Sequence, residues 1–209
     1  DHIRLNTPAE TVVRYQEHVT VNNEPFDHVI LACHADQSLA ILKDASKHEQ
    51  DVLSAFPYKE NIAYLHQDKN MMPKDRKIWS SWNYMTEKDM PEDIYVSYWM
   101  NNLQGFLPPD DPLFVTLNPA KPPEEEKVIK RIKYHHPQYG ENALKGWERI
   151  KTIQGKHRTW FCGAWCGYGF HEDGLSAGLA VAEALGGLKR PWDVADKSPA
   201  GTHATPEDM

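Results

Sequence analysis

The sequence predicts an α/β fold with α+β character, and three observations point to it. Near the C-terminus an apolar run at residues 159–164 leads through a glycine-rich loop into a helical pattern. Near the N-terminus, short alternating segments separated by a polar turn predict a β-meander. Between them lies a block of aromatic-rich strand patterns. The 209 residues suffice for one substantial core or two small lobes sharing one.

Taken in order, residues 3–13 alternate loosely, residues 15–21 continue as strand to the turn pair Asn22-Asn23, and residues 26–32 (F-D-H-V-I-L-A) read as a buried strand. Residues 35–43 predict a short helix. Ser46 followed by Glu49 is a capping box opening a second helix, which stops at Phe56 before Pro57. Strands follow at 61–66, 78–84, 94–100 and 113–117, carrying Trp79, Trp82, Tyr84, Tyr95, Tyr98 and Trp99. Such a sheet is either a core with aromatic cross-strand pairs or the wall of an apolar pocket. Residues 118–126 are a proline-rich charged connector, and Val128, Ile132 and Tyr134 tilt residues 128–134 towards strand. Residues 141–153 predict an amphipathic helix with Leu144, Trp147 and Ile150 on one face, ended by Gly155. A last helix is expected from Gly174, with Leu175, Leu179, Ala182 and Leu185 on its apolar face and Gly186-Gly187 as its stop. Residues 188–209 read as a poorly ordered tail.

A formal charge of -7 argues against nucleic acid or an anionic membrane as a main partner. No run approaches the roughly 20 apolar residues of a membrane span. Three cysteines form no disulfide framework and suit a reducing, cytoplasmic compartment. Cys162 and Cys166 lack a second pair and the eleven histidines are scattered, so no metal site is expected. No signal peptide pattern is present.

The strand, loop and helix at 159–187 carry the chemistry. A helix N-terminus offers unbonded N–H groups and a positive dipole end, so this arrangement suits an anion or a cofactor edge. The loop contains Gly167-x-Gly169-x-x-x-x-Gly174, a near miss to the dinucleotide fingerprint, but no strand pattern follows its helix. The unit therefore closes a domain.

F-C-G-A-W (161–165), followed by G-Y-G-F-H-E-D-G-L (167–175) and a Gly/Ala-rich helix, resembles the C-terminal end of the FAD-dependent amine-oxidase-like flavoproteins. The closest branch is the one described as predicted NAD/FAD-binding proteins. The similarity extends through F-D-H-V-I-L-A-C-H-A-D (26–36), I-W-S-S-W-N-Y-M (78–85), L-F-V-T-L-N-P (113–119) and Y-H-H-P-Q-Y (134–139). It implies the remainder of an FAD-binding Rossmann-like domain, at 1–35 and 155–187, and a mixed-sheet substrate domain at 36–154. It also implies FAD as cofactor, hydride transfer from a substrate C–H to flavin N5, and a small apolar or amine substrate. By the same resemblance Val12 (or Val13) lies against the adenine, and Gly163 and Ala164 along the ribityl-phosphate chain. The N–H groups of Gly174 and Leu175 face the flavin pyrimidine edge, Tyr168 and Phe170 flank the ring system, and Gly169 belongs to the same cofactor-binding loop. His171 bonds the flavin or sits in the turn. Common amine oxidases carry an acidic residue where this chain has Ala164; Glu172 or Asp173 takes over that contact, or caps the helix. No catalytic residue can be named.

The first glycine is Gly105, so the G-x-G-x-x-G unit expected of this class is not among the preceding residues. The chain thus reads as the C-terminal part of a larger flavoprotein, with the missing N-terminal half as a partner. Alone it is expected to bind FAD weakly or not at all, and to be inactive. The other open reading is a non-enzymatic binding or scaffold module that has lost its flavin.

Overall fold

The computed structural model describes residues 2–87, 90–108, 110–187 and 189–192; of the expected tail at 188–209, only residues 189–192 fall within it. In chain order the elements are β1 (Val12–Arg14), β2 (Val19–Val21), β3 (Glu24–Phe26), β4 (Val29–Leu31), α1 (Ala35–Ile41), α2 (Lys47–Leu53), β5 (Tyr58–His66), β6 (Trp82–Glu87) and β7 (Met90–Trp99). Then come α3 (Met100–Leu103), β8 (Phe114–Leu117), β9 (Val128–Pro137), α4 (Glu141–Ile150), β10 (Thr159–Phe161) and α5 (His171–Gly186). They form two compact units, residues 1–58 with 137–209 and residues 59–136. The sequence-based limits at 35/36 and 154/155 fall inside the first unit.

In the first unit β1, β2 and β3 form the expected antiparallel meander, with Val12 opposite Val21 and Val19 opposite Phe26. Its turn places Asn22 and Asn23 at φ 49 and 68, a left-handed conformation that asparagine tolerates. The strand expected at 26–32 is broken at Asp27-His28, because β3 pairs with the meander and β4 pairs in parallel with β10. Ile30 stands opposite Trp160 in that pair. The outer edge of β10 is closed by a side chain: the Gln154 carboxamide accepts from Phe161 N–H at 2.9 Å and donates to Phe161 C=O at 2.7 Å.

The capping box at Ser46 forms as expected: Ser46 Oγ accepts from Glu49 N–H, and Glu49 Oε2 accepts from Ser46 N–H at 2.7 Å. Glu49 also pairs with Arg14, and both side chains are buried. This ties the meander to α2. Burial alone would raise the Glu49 carboxyl; the bonds from Arg14 and Ser46 instead hold it down to about 2. Phe56, Trp147, Ile150, Ile153 and Phe161 fill the core, each almost wholly buried.

Two helix faces differ from expectation. In α4 the buried residues are Ala143, Gly146, Trp147 and Ile150, while Leu144 is 54% exposed. In α5 the small residues Ala177, Ala180 and Val181 face the core, whereas Leu175 and Leu185 are exposed. Small side chains let α5 lie close against its neighbours, so side-chain size was a misleading guide to its inner face.

The second unit is a five-stranded sheet in the order β6-β7-β8-β5-β9. The pairings β6–β7, β7–β8 and β5–β8 are antiparallel. The strand expected at 78–84 begins only at Trp82, because Asp75 caps a short 3₁₀ turn at Arg76–Ile78. On one face Trp82 stacks on Tyr98 directly across the β6–β7 pair, with ring centroids 6.2 Å apart. Trp82, Tyr84 and Ile94 are exposed. The other face buries a polar chain. Asp68 N–H donates to His66 Nδ1 at 3.0 Å, His66 Nε2 lies 2.7 Å from Thr116 Oγ1, and Thr116 lies 2.7 Å from Ser97 Oγ, which donates to Met71 C=O at 2.9 Å. The carbonyl at one end only accepts and the amide at the other only donates. Every proton between them is therefore fixed in one sense, and His66 is neutral with its hydrogen on Nε2.

Candidate functional site

The site is built where the parallel strands β4 and β10 end. Parallel strands place their carboxyl ends on one side, and open α/β sheets bind ligands there. Cys33 and His34 follow β4, and Gly163 and Ala164 follow β10. Gly163 has φ 144, a conformation available to glycine, and a side chain there would meet the Trp165 indole at 2.9 Å. Trp165 Nε1 donates to Cys33 C=O at 3.0 Å, joining the two strand ends. Trp147 Nε1 in turn donates to Trp165 C=O at 2.8 Å, so the turn after β10 is held from the α4 side as well.

The loop then passes Gly167 and Gly169 into α5. That helix begins at His171, three residues before the expected start at Gly174. Gly174 N–H is already bonded to Phe170 C=O at 3.3 Å, and Asp173 N–H bonds the same carbonyl at 3.1 Å. The backbone amides of Gly174 and Leu175 therefore lie within the helix. Among the described residues, the first-turn amides without an intrahelical acceptor are those of His171 and Glu172.

Asp173 caps the helix from inside: its Oδ2 accepts from Phe170 N–H at 2.8 Å. Its carboxylate also fills the space beside Gly167, where an added Cβ would come 2.2 Å from Oδ1. Glycine is required at 167 because the Asp173 side chain occupies that place. Of the two acids weighed for the contact missing at Ala164, Asp173 is thus engaged within the loop. Glu172 is exposed, with Ser176 Oγ 3.5 Å from its Oε1. His171 is exposed on the helix start. Phe170, at 69%, and Tyr168 and Leu175 are exposed as well.

Gly169 abuts the Tyr139 ring, and Tyr139 and Tyr168 flank Trp147 with centroids 5.4 Å away on each side. Burial, followed by the charge of Asp173, pushes the Tyr139 hydroxyl up to about 12. Burial pushes the Cys166 thiol far up, which makes it inert. Gly174 sits beside Ala164, whose backbone nitrogen is 3.5 Å from an added Cβ, so the first turn of α5 rests on the turn after β10. Val12 is fully buried, pairs with Val21, forms a bridge to Leu42 and belongs to the same core cluster as Cys162, Trp165 and Cys166. A groove of about 690 Å³ in the same unit is lined by Arg4, Val21, Phe26, His28 and Ile30 among others, and by none of the candidate residues at 163–175.

Cys33 and His34 are not singled out by the sequence, because they follow the expected strand at 26–32 with no motif of their own. His34 stacks on Tyr58 at 4.5 Å, and Tyr58 Oη accepts from Ala35 N–H at 3.0 Å, which fixes the start of α1 beside the end of β4. A histidine just before the start of a helix, three residues after the strand, was the available signal. Among the described residues no cluster of three metal-ligating side chains occurs. No helix there is long and apolar enough to cross a membrane.

No family model matches the chain, and no curated protein does. Solved structures do. The fold is similar to that of reduced UDP-galactopyranose mutase, with a TM-score of 0.60 at 13% identity, over 95% of this chain and 48% of the mutase. It is also similar to cyclohexylamine oxidase from Brevibacterium oxydans IH-35A, with a TM-score of 0.53 at 12% identity, over 86% of this chain and 48% of the oxidase. The chain spans about half the length of these structures. The likeness is one of fold.

Proposed function

We propose that the chain is the C-terminal part of an FAD-dependent oxidoreductase, with the flavin seated at the carboxyl ends of β4 and β10. The observation that carries this is the geometry of that end: two parallel strands, a glycine-rich turn and the N-terminus of a 16-residue helix converge on it. The residues fit a flavin edge in one respect that the structure supplies, the unbonded amides of His171 and Glu172 at the positive end of α5. Those amides would face the pyrimidine edge, in place of Gly174 and Leu175. Backbone at Gly163 and Ala164 would run beside the ribityl chain, with Gly169 and Phe170 alongside the ring system. When bound, the flavin supplies the hydride acceptor. The chain's own groups orient it and favour charge at its edge. The proposed substrate is a small apolar or amine molecule.

This reading makes the rest of the protein necessary, because the described residues hold no G-x-G-x-x-G phosphate loop. FAD titrated into the isolated 209-residue chain is expected to bind weakly or not at all. The longer protein is expected to show the flavin absorbance bands on purification. A longer protein without those bands, and without FAD affinity on titration, would overturn the proposal.

A further inference from the structure

His34 carries a buried, unpaired nitrogen at the end where the two parallel strands finish. Its Nδ1 is shielded from solvent and has no hydrogen-bond partner. The capping role open to a residue just before a helix is not taken, because Gln37 N–H bonds Asp36 Oδ1 at 2.8 Å instead. Buried polar atoms are ordinarily paired, so an unpaired one calls for a reason. Asp36 Oδ1 lies 3.9 Å from Nδ1, too far for a hydrogen bond but near enough to favour a hydrogen there. The ring is also fixed in place: it stacks on Tyr58 with a 13° angle between the planes, and the Tyr58 hydroxyl is held by Ala35 N–H. Nε2 takes no bond among the described residues, and the side chain is 39% exposed. With hydrogen on both nitrogens, Nδ1–H faces the Asp36 carboxylate and Nε2–H is free to donate. The imidazolium is the form that these surroundings suit.

The position of the ring gives that donor a use. His34 follows Cys33, whose carbonyl accepts from Trp165 Nε1 in the turn after β10. The segments that build this end, residues 32–36 and 162–175, contain no lysine or arginine. His34 and His171 are the only side chains in them that can carry positive charge, against Asp36, Glu172 and Asp173. Asp173 is engaged with Phe170 N–H. A phosphate-bearing cofactor therefore finds backbone amides and two imidazoles here, and His34 is the imidazole whose plane is set by stacking.

We infer that His34, backed by Asp36, is an anion-binding residue of this site, which takes a proton from solvent and donates Nε2–H to a phosphate oxygen of the cofactor. The inference rests on the seat proposed above for the flavin.

The test is NMR of the 209-residue chain at neutral pH, reading the His34 ring nitrogens and the phosphorus line of the ligand; millimolar affinities suffice for it. FAD, and inorganic pyrophosphate at higher concentration, should move both His34 nitrogens towards the imidazolium position. Riboflavin, which has no phosphate, should move neither. His34→Ala should weaken FAD binding about 10-fold by phosphorus line broadening, as for loss of one hydrogen bond to a charged group. Asp36→Asn keeps the oxygen that takes Gln37 N–H, so its fold should stay intact while binding weakens about 3-fold. His34 nitrogens that ignore FAD and pyrophosphate overturn the inference, as does an equal response to riboflavin, or unchanged line broadening in both variants. The His171 and Glu172 amides separate the two proposals. If riboflavin moves them while His34 stays still with every ligand, the flavin seat stands and the His34 contact falls. If pyrophosphate moves His34 while those amides ignore FAD and riboflavin, the anion contact stands and the flavin seat falls.

Discussion

Acidifying the protein should destabilise the second unit through one residue, His66. Its ring is fully buried, and burial lowers its pKa to about 4, against a small opposing effect of the nearby Asp68 charge. The other charged group close by, Lys127, pairs with Asp68 at 3.4 Å. Protonating Nδ1 would set an N–H against the Asp68 N–H that now donates to it. The unfolded histidine titrates near 6.5, so between 6.5 and about 4 the unfolded chain binds a proton that the folded chain refuses. Stability is therefore complete above that window and lost as the pH falls through it, at about 1.4 kcal/mol per pH unit. From pH 6.5 to 5 the loss should be about 2 kcal/mol, and it should approach 3 kcal/mol by about pH 4. Urea unfolding followed by tryptophan fluorescence reads this directly. His66→Gln keeps a donor towards Thr116 and removes the titration; it should be less stable at pH 7 by about 1–3 kcal/mol yet flat from pH 6.5 to 5. A wild-type protein equally flat in that window, or a variant with the wild-type slope, would refute the reasoning.

Glu49→Gln should cost about 2 kcal/mol at pH 7, since it removes the buried one of the two carboxylates paired with Arg14 and leaves Asp44. The wild-type contribution is present above pH 4.5 and lost as the pH falls towards about 2, so acid titration should bring wild type and variant together. At the site, Gly167→Ala should cost about 2 kcal/mol by displacing the Asp173 carboxylate. Combined with Asp173→Ala the loss should be clearly sub-additive, with a coupling of at least about 1 kcal/mol in a double-mutant cycle; simple additivity would contradict the interlock. Gln154→Ala should accelerate exchange at the Phe161 amide and cost about 1–2 kcal/mol in urea unfolding.

Much of the fold was legible where local chemistry decides conformation. The capping box at Ser46, the meander with its asparagine turn and the aromatic strands all follow from residue pattern. What the pattern could not show was which neighbour a segment would meet. The run from Phe26 to Leu31 looks continuous, yet it serves two sheets, and only the parallel partner at β10 reveals the break. The inner face of α5 was misjudged for the same reason. Leucines mark a core where space is open, but where a helix lies close, alanines take that place. At the site, the strand–loop–helix order was readable, while the helix start was not. Gly174 reads as a helix boundary, whereas the capping carboxylate of Asp173 lets the helix begin at His171.

The contact between Gly167 and Asp173 bears on how such a loop can change. The turn and the first coil of α5 behave as one mechanical part, since the carboxylate that seals the coil also fixes what the turn can carry. A protein engineer wishing to restore an acidic side chain beside the loop could not redirect Asp173 without unfastening both. Glu172, free of that duty and exposed, is the carboxylate that can be turned towards the loop while the seal stays in place.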